Sequence, residues 1–296
     1  MMEKKELLSG VGIVIPTYNA GKEFAALLHD LSCQTVQPQY RLVIDSSSVD
    51  DTTKIASEFG WTVKTILKEE FSHGGTRQQA VDILLKQNPS LEIVIFITQD
   101  VKMPQANSLK KLLAAFQQDD IGAAYGRQLP HKNANIFASF ARLHNYPAES
   151  HIRSFEDRKK YGMKAAFLSD SFAAYRKTAL EQVGGFPKNV MFGEDMYIAA
   201  RLLMQGWRVA YAAAAEVYHS HNYSVCQEFN RYREMGRFHG KEKWIRENFG
   251  EAEGNGKRFV MEEMQYVCRY KVRLLPEMLV RDFAKFLGYR LGIRLE

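Results

Sequence analysis

The chain lacks the features that mark secreted and membrane-spanning proteins. Its three cysteines, Cys33, Cys226 and Cys268, have neither the number nor the spacing of a disulfide framework or a zinc site. The best apolar run, Ile93-Val-Ile-Phe-Ile97, is far shorter than the ~18 residues of a membrane span. The opening segment Met1-Met-Glu-Lys-Lys-Glu6 lacks the apolar core of a signal peptide. We therefore expect a reduced, cytoplasmic protein.

Two common nucleotide-binding motifs are also missing. No Gly-X-Gly-X-X-Gly follows the first predicted strand and no Walker A sequence occurs, which disfavours a Rossmann dehydrogenase. The net charge of +6 is compatible with nucleotides, nucleic acid or anionic lipid and decides among none of them. With 296 residues, 46% of them hydrophobic, the chain can form one large α/β domain with an appendage.

The first 125 residues alternate β-rich runs with amphipathic helices. Strands are predicted at 11–15, 42–45, 62–67, 92–98 and 121–125. Between them, helical spacing of apolar residues predicts helices, the first over 22–33, and a Gly-Gly turn is expected at 74–75. This alternation predicts a doubly wound, mostly parallel sheet flanked by helices, which binds ligands at the carboxyl ends of its strands.

The rest of the chain has a different pattern. Residues 130–165 are polar and aperiodic, as a loop region or insertion would be, whereas 168–222 regain strands and one helix. From 226 onward the sequence is helical, basic and aromatic. The expected domains are a catalytic domain at 1–225, with a nucleotide-binding half at about 1–128 and an acceptor half at 129–225, and a helical basic extension at 226–296.

Each of the first four predicted strands is followed by side chains that can contact a ligand. The segments are Pro16-Thr-Tyr-Asn19, Asp45-Ser-Ser-Ser48, His73-Gly-Gly-Thr-Arg77 and Thr98-Gln-Asp100. Because parallel strands end at the same edge of a sheet, we expect these groups to form one binding site. The alternative for any one of them is an ordinary turn or helix cap, for which Asp, Ser, Asn and Gly are also favoured.

These motifs resemble a known family. Ile13-Val-Ile-Pro-Thr-Tyr-Asn19 and Val43-Ile-Asp-Ser-Ser-Ser-Val-Asp-Asp-Thr52 resemble the opening of the nucleotide-sugar domain in glycosyltransferase family 2. Further motifs are similar to the rhamnosyltransferase branch of that family: Phe71-Ser-His-Gly-Gly-Thr-Arg77, Phe96-Ile-Thr-Gln-Asp100, Gly184-Gly-Phe186, Gly193-Glu-Asp-Met196 and Val217-Tyr-His-Ser-His-Asn-Tyr223. The resemblance covers residues 11 to about 240 and implies a GT-A fold, a Rossmann-like sheet flanked by helices, with a helical C-terminal extension.

The resemblance also implies an activity. It points to an inverting glycosyltransferase, a hexosyltransferase moving L-rhamnose from dTDP-β-L-rhamnose onto a growing cell-surface polysaccharide or lipid-linked oligosaccharide. One alternative keeps the fold and uses a UDP- or GDP-sugar, since a single methyl group separates thymine from uracil and a pocket discriminates it weakly. The other is a catalytically degenerate nucleotide-binding scaffold.

The donor site follows from the same resemblance. The donor would contact Pro16, Thr17, Asn19, Asp45, Ser47, Gly75, Arg77, Gln99, Asp100 and Asp170. Asp45 would accept a hydrogen bond from the imide N–H of uracil or thymine, a role that suits a carboxylate because it offers only acceptors. Arg77 would lie near the base or the diphosphate, and its alternative is a salt bridge on a helix surface.

A divalent cation, Mg²⁺ or Mn²⁺, is expected at Asp100. Such a cation neutralises a departing diphosphate and prefers oxygen ligands. Family members usually carry Asp-X-Asp here, whereas this chain has Gln99-Asp100-Val101 and therefore one carboxylate. A second ligand could come from His219 or His221, whose spacing puts both on one side of an extended segment. The alternative is that both histidines form hydrogen bonds in a polar loop.

The candidate catalytic residues are Glu194 and Asp195. Both are predicted to open a helix, a position that also favours acidic residues for structural reasons. Inverting glycosyl transfer needs a base to take the proton of the acceptor hydroxyl. The resemblance assigns that role to Asp195, with Glu194 shaping its surroundings, and places a tight turn at Gly184-Gly-Phe186 beside the acceptor.

The C-terminal region has seven basic and three acidic residues over 269–296, a net charge of +4. Between 277 and 287 one predicted helical face carries Leu279, Val280, Phe283, Phe286 and Leu287, and the other carries Arg281, Asp282 and Lys285. We expect either a helical cap on the catalytic domain or a peripheral contact with the inner face of the cytoplasmic membrane. Nucleic-acid binding is not expected, because no recognisable module accompanies the charge.

Overall fold

The structure, a computed structural model, describes residues 5–250 and 253–296. Residues 1–4, where no signal peptide is expected, lie outside the described residues. Across the described ranges no helix combines the length and the apolarity needed to cross a membrane. The chain divides into two compact units, described separately below. The first unit comprises Met1–Gln128, Ala148–Ser154 and Leu168–His219, and the second comprises Leu129–Pro147, Phe155–Phe167 and Ser220–Glu296.

The first unit is built on an eight-stranded sheet. Its strands are β1 (Glu6–Thr17), β2 (Val36–Asp45), β3 (Thr62–Thr65), β4 (Ile93–Ile97), β5 (Ile121–Leu129), β6 (His151–Arg153), β7 (Phe172–Arg176) and β8 (Arg208–Tyr218). Their order across the sheet is β3-β2-β1-β4-β7-β5-β8-β6. β1 runs parallel to β2 and β4, and β2 runs parallel to β3. The parallel half confirms the doubly wound sheet, and β7 joins it antiparallel to β4 and β5.

The α-helices of both units are given in chain order. They are α1 (Glu23–Ser32), α2 (Thr52–Glu58), α3 (His73–Gln87), α4 (Ser108–Leu113), α5 (Ile136–Asn145), α6 (Arg158–Tyr161), α7 (Lys177–Val183), α8 (Glu194–Met204), α9 (Val225–Lys241), α10 (Lys243–Phe249), α11 (Glu253–Lys271) and α12 (Leu275–Arg294). Short 3₁₀ helices occur at Lys68–Glu70, Ala114–Gln117, Phe155–Asp157, Gly162–Ala166 and Val272–Leu274.

The core of the first unit forms between the sheet and its helices. Ile13, Ile15 and Ile95 are almost fully buried on the parallel strands, which are apolar on both faces because helices cover both. Phe24 and Leu28 on α1 pack into the same apolar cluster, as the predicted helix over 22–33 requires. This buried frame holds the carboxyl ends of the strands in fixed positions.

Gly74 and Gly75 lie inside the first turn of α3, so the Gly-Gly turn expected there is wrong. Ser72 caps the helix, with its Oγ accepting a hydrogen bond from the Gly75 N–H at 3.0 Å. A Cβ atom on Gly74 would lie 2.0 Å from the Pro187 carbonyl oxygen. Glycine is therefore needed because another backbone segment approaches the helix, and the chain makes no turn at this point.

The second unit is helical, and it includes residues expected to be loop. The prediction of a loop over 130–165 is wrong, because α5 and α6 lie within that range. Ile136 and Phe137 of α5 join Val267 and Met278 in a small apolar core. The helix was overlooked although its apolar residues Ile136, Phe137 and Phe140 follow helical spacing and Asn135 caps it. Residues 129–147 and 155–167 thus cluster with the C-terminal helices, whereas the sequence placed them in the acceptor half.

Two glycine pairs bring α9 and α12 into close contact. A Cβ atom on Gly236 would lie 2.2 Å from the Tyr289 carbonyl oxygen, and one on Gly292 would lie 2.1 Å from the Arg233 carbonyl oxygen. Gly240 of α9 and Gly288 of α12 make further close contacts with the backbone of the other helix. Both helices therefore carry glycines four residues apart, a spacing that lets helix backbones approach closely.

Candidate active site

The ends of β1 and β2 meet around a buried carboxylate. Asp45 is fully buried, and its Oδ1 accepts a hydrogen bond from Thr17 Oγ1 at 2.9 Å. The Ser48 N–H donates to Asp45 Oδ2 at 2.8 Å, and the Ser48 hydroxyl also donates to Oδ1. Pro16 is paired with Ile44 in the ladder just before this point. Asp45 thus organises the loop that is expected to receive the nucleobase.

The end of β4 joins the same edge through Gln99. The Tyr18 N–H donates to Gln99 Oε1 at 2.8 Å, and Gln99 Nε2 donates to the Tyr18 carbonyl at 3.1 Å. Asn19 and Ser47 both adopt left-handed backbone conformations, with φ of 45° and 60°. Such strain in residues other than glycine concentrates at functional sites. The polar segments after β1, β2 and β4 therefore converge, as their positions in the sequence predicted.

Arg77 lies inside the protein, in contact with two acids. Its side chain is 4% exposed, with Nε 2.9 Å from Asp170 Oδ2 and Nη1 3.0 Å from Glu194 Oε1. Nη1 also donates to the His73 carbonyl at 3.0 Å. The alternative of a surface salt bridge is therefore wrong. Contact between Arg77 and the donor stays a prediction.

The pairing of β4 with β7 brings the second half of the chain to this edge. Ile97 pairs with Phe172, and the Thr98 N–H donates to the Ser171 carbonyl at 3.3 Å. Continuing that antiparallel register places Gln99 across from Asp170. The Tyr175 hydroxyl donates to Asp170 Oδ1, and burial raises the pKa of this phenol well above its usual value. Tyr175 therefore stays protonated and holds Asp170 in place.

Asp195 sits in the first turn of α8, at the position predicted to open a helix. Its Oδ1 accepts a hydrogen bond from the Met196 N–H at 2.8 Å. Burial, followed by the negative charges of Glu194 and Asp170, raises the pKa of the Asp195 carboxyl to about 8. Burial also raises the pKa of Asp170, although Arg77 opposes that shift. Asp195 is therefore a stronger base than an ordinary carboxylate, as a proton acceptor should be.

The expected tight turn before α8 is present and is attached to α3. Gly184 and Gly185 have left-handed φ values of 83° and 75°. The Phe186 N–H donates to Gln78 Oε1 at 2.8 Å, and a Cβ atom on Gly185 would lie 2.1 Å from that oxygen. Gln78 lies one residue after Arg77 on the same helix. One helix therefore holds both the turn and the acidic residues.

Asp100 and His219 form a candidate metal site. His219 Nε2 lies 3.4 Å from Asp100 Oδ2, and the His219 ring is buried. His219 Nδ1 lies 2.9 Å from Gln128 Oε1, while Gln128 Nε2 donates to Ser169 Oγ at 2.8 Å. The Gln128 oxygen can only accept, so His219 carries a proton on Nδ1. This arrangement aims Nε2 at the carboxylate, as outer contacts do for metal-binding histidines.

His221 lies two residues after His219, at the start of the second unit. Its ring is tilted against that of Tyr223, with centroids 5.1 Å apart. Gly75, the remaining residue of the predicted donor set, lies in the first turn of α3, where its N–H is taken by Ser72. The roles of His221 and Gly75 stay predictions.

Sequence reasoning missed Gln128 and Tyr175. The strand predicted at 121–125 extends to Leu129, so Gln128 is another polar residue at a strand end, and a correct boundary would have revealed it. Tyr175 lies within the apolar strand β7 and is fully buried. A tyrosine in such a strand looks like a core residue, and only its contact with Asp170 shows otherwise.

The fold and this site define a glycosyltransferase. Residues 9–237 match the family described as "Glycosyltransferase like family 2", and the chain belongs to that family. It is similar to two curated proteins. One, the O-antigen chain rhamnosyltransferase WbaN of Salmonella anatum, is 44% identical over 95% of this chain and 88% of its own. The other, O-antigen chain rhamnosyltransferase RfbN of Salmonella typhimurium, is 42% identical over 95% of this chain and 89% of its own.

Solved structures show the same fold at low sequence identity. A mannosyltransferase from Pyrobaculum calidifontis, PcManGT in complex with GDP-Man and Mn²⁺, has a TM-score of 0.60 at 15% identity and covers 95% of this chain and 87% of that one. S. aureus TarS 1–349 in complex with UDP has a TM-score of 0.55 at 16% identity, covering 97% of this chain and 90% of that one. The expected GT-A fold is therefore confirmed.

Proposed function

We propose that the protein transfers L-rhamnose from dTDP-β-L-rhamnose to a growing O-antigen chain or a related lipid-linked oligosaccharide, with inversion at the anomeric carbon. The observation that carries this proposal is the partly buried Asp195 carboxylate, whose pKa is raised to about 8, at an edge lined by strand-end polar groups. The two relatives named as O-antigen chain rhamnosyltransferases support the choice of sugar and acceptor.

The donor nucleotide would lie across the ends of β1, β2 and β4. Asp45 would meet the base, because one acceptor position on its Oδ2 is left after the hydrogen bonds from Thr17 and Ser48. The other residues proposed to contact the donor are Pro16, Thr17, Asn19, Ser47, Gly75, Arg77, Gln99, Asp100 and Asp170. The ion pairs of Arg77 with Asp170 and Glu194 would hold the acids beside the reacting sugar.

A divalent cation, Mg²⁺ or Mn²⁺, is proposed at Asp100 and His219, with His221 as a further ligand two residues along the chain. These side chains suit a divalent cation, because the contact with Gln128 leaves His219 Nε2 directed at the Asp100 carboxylate. When bound, the cation would neutralise charge on the leaving diphosphate. The single carboxylate agrees with a cation that keeps several waters or substrate oxygens as ligands.

The chemical step needs one proton acceptor. Asp195 would take the proton of the acceptor hydroxyl, whose oxygen attacks C1 as the bond to the diphosphate breaks on the opposite side. A β-linked donor then gives an α-linked product. Glu194 is bound to Arg77 and is not the proton acceptor; it raises the basicity of Asp195 through its negative charge.

The proposed lipid-linked acceptor determines where in the cell the enzyme would work. We propose a cytoplasmic enzyme that works peripherally at the inner face of the cytoplasmic membrane, where a lipid-linked acceptor would be presented. No nucleic-acid partner is proposed, because the basic C-terminal helices accompany no nucleic-acid-binding module.

The test is a thermal shift panel followed by product analysis. The purified protein would be heated with dTDP, UDP, GDP or ADP, each with and without Mn²⁺. A nucleotide at about a hundred times its Kd stabilises the folded state by roughly 2.7 kcal/mol, enough to raise the Tm by several degrees. We expect the largest shift with dTDP and Mn²⁺, and α-linked rhamnose in the product. A preference for UDP or GDP would overturn the proposed dTDP-linked donor. A nucleotide-induced shift without any sugar transfer would favour the degenerate nucleotide-binding scaffold.

A further inference from the structure

Helix α12 exposes its apolar face. Its exposed apolar residues form one helical stripe, and their exposed fractions run from 38% to 64%; they are Leu279, Val280, Phe283, Phe286, Leu287 and Leu291. We call this set the apolar face of α12. At 1.5 Å per residue it extends about 18 Å along the helix. These exposed fractions show that this face of α12 does not pack on the described residues, and the helical cap expected from the sequence stays a prediction.

The opposite side of α12 buries charge. Arg281 and Lys285 are 7% and 8% exposed. Arg281 lies 3.2 Å from Glu228 and 2.8 Å from Glu277. Lys285 lies 3.0 Å from Asp282 and 3.5 Å from Glu263. Each buried cation therefore has one acidic partner within α12 and one on another helix. The partners on other helices, Glu228 of α9 and Glu263 of α11, fix this side of α12 within the second unit.

The glycine contacts with α9 prevent α12 from turning over. Gly288 and Gly292 share the buried side with Arg281 and Lys285, and larger side chains would collide with the α9 backbone there. Rotating the helix to bury its apolar face would break these contacts and turn both cations out to solvent. Glu228 and Glu263 would then face apolar side chains without their cations, at a large cost. The outward direction of the apolar face is thus a stable feature of the second unit.

The apolar face is bordered by positive charge. Arg290 and Arg294 are exposed and continue the same stripe toward the C-terminus by helical spacing. Lys271 and Arg273, just before α12, are exposed as well. A second copy of this chain on the face would bring two such basic groups together, which like-charge repulsion opposes. An anionic lipid surface complements both the apolar residues and the basic border.

We propose that the apolar face of α12 docks on the surface of an anionic phospholipid bilayer. The helix lies in the plane of the interface, with Phe283 and Phe286 at the acyl boundary and Arg290 and Arg294 against lipid phosphates. This inference deepens the membrane location proposed above by naming the surface and the lipid chemistry. Its test uses neither donor nor acceptor, so it can fail while the proposed transferase activity stands.

The test is co-sedimentation of the full chain with lipid vesicles. Vesicles of phosphatidylcholine mixed with phosphatidylglycerol should bind the protein, and vesicles of phosphatidylcholine alone should bind it much more weakly. Each arginine near an anionic surface contributes about fivefold to binding, so Arg290→Gln with Arg294→Gln should weaken it about 25-fold. Phe283→Ser with Phe286→Ser should weaken it at least about tenfold.

The matched control is Leu7→Ser, which removes an equally exposed apolar side chain (65%) from the first unit. It should bind vesicles like the wild type. Both phenylalanines are more than half exposed, so an unchanged Tm is expected for their double variant and would exclude a folding defect. The dTDP-induced Tm shift should also be retained, which separates lipid docking from donor binding.

Three outcomes would overturn the proposal. The first is wild-type protein that does not bind anionic vesicles, and the second is a phenylalanine variant that binds them as well as wild type does. The third is a wild-type protein that is a dimer in sedimentation velocity and binds no vesicles, while the phenylalanine variant is a monomer. That result would make the apolar face of α12 a contact between copies of this chain.

Discussion

Two clusters of buried charge, one in each unit, differ in how their carboxylates are paired. In the second unit, Glu228, Glu263, Glu277 and Asp282 each lie within ion-pair distance of Arg281 or Lys285. In the first unit, Arg77 is paired with Asp170 and Glu194. Asp195 next to them has no ion-pair partner among the residues that the structure describes. The paired cluster holds helices together, and the unpaired carboxylate is available to take a proton.

A raised pKa alone does not distinguish Asp195 from the paired carboxylates of the second unit. Burial raises the pKa of Glu263 to about 8, as it does for Asp195. Glu263 is, however, 1% exposed and faces Lys285 inside a helix interface. Asp195 is only partly buried and begins a helix at the edge where strand ends converge. Its partial exposure, together with the missing ion-pair partner, supports the proposal that Asp195 is the catalytic group.

The largest effect is expected from Asp195→Asn. Losing the proton acceptor should lower kcat about a thousandfold or more, measured by product formation at saturating donor. The same change should stabilise the fold at high pH. The raised pKa means that the stabilising, protonated form of Asp195 is fully present below about pH 4 and is lost as the pH rises through about 8.

The Tm of Asp195→Asn should therefore exceed that of the wild type at pH 9 and match it at pH 4. Asp119→Asn is the control, because Asp119 is exposed and should change neither quantity. Near-normal sugar transfer by Asp195→Asn would contradict Asp195 as the proton acceptor. A lower Tm of this variant at pH 9 would contradict the raised pKa of Asp195.

In the paired cluster, a substitution should lower the stability of the fold and leave the binding of dTDP unchanged. Lys285→Met leaves Glu263 and Asp282 without their cation, and breaking a buried pair from one side costs about 3–5 kcal/mol. We expect that loss in urea unfolding, with dTDP affinity of the folded protein unchanged. Lys257→Met, at an exposed position of α11, should be neutral. An unaltered unfolding free energy for Lys285→Met would show that the cluster does not stabilise the second unit.

A smaller effect is expected at the cation site. Gln128→Leu removes the acceptor that orients His219, and loss of such outer contacts weakens metal binding about 10–100-fold. Titration of the dTDP-dependent Tm shift with Mn²⁺ measures this, and excess Mn²⁺ should restore the shift. Gln87→Leu, exposed at the end of α3, is the matched control. Equal Mn²⁺ requirements for Gln128→Leu and the wild type would argue against His219 as a ligand.

The sequence predicted best what depends on short-range pattern. The polar groups after β1, β2 and β4 were found because each follows an apolar strand, and parallel strands end at one edge. The partners of Arg77 were not predictable, since Asp170 and Glu194 lie about 90 and 120 residues later. The apolar stripe of α12 was visible in the sequence, but its direction was not. Only the glycine contacts and buried ion pairs of the second unit determine which side faces out.

The pH dependence of kcat/KM for sugar transfer tests the central claim most directly, because kcat/KM reports ionisations in the free enzyme. If Asp195 is the proton acceptor with its pKa raised to about 8, the ionised form is active and kcat/KM should rise about tenfold per pH unit below that value, then level off. A kcat/KM that stays at its plateau down to pH 6 would contradict an Asp195 base with a raised pKa.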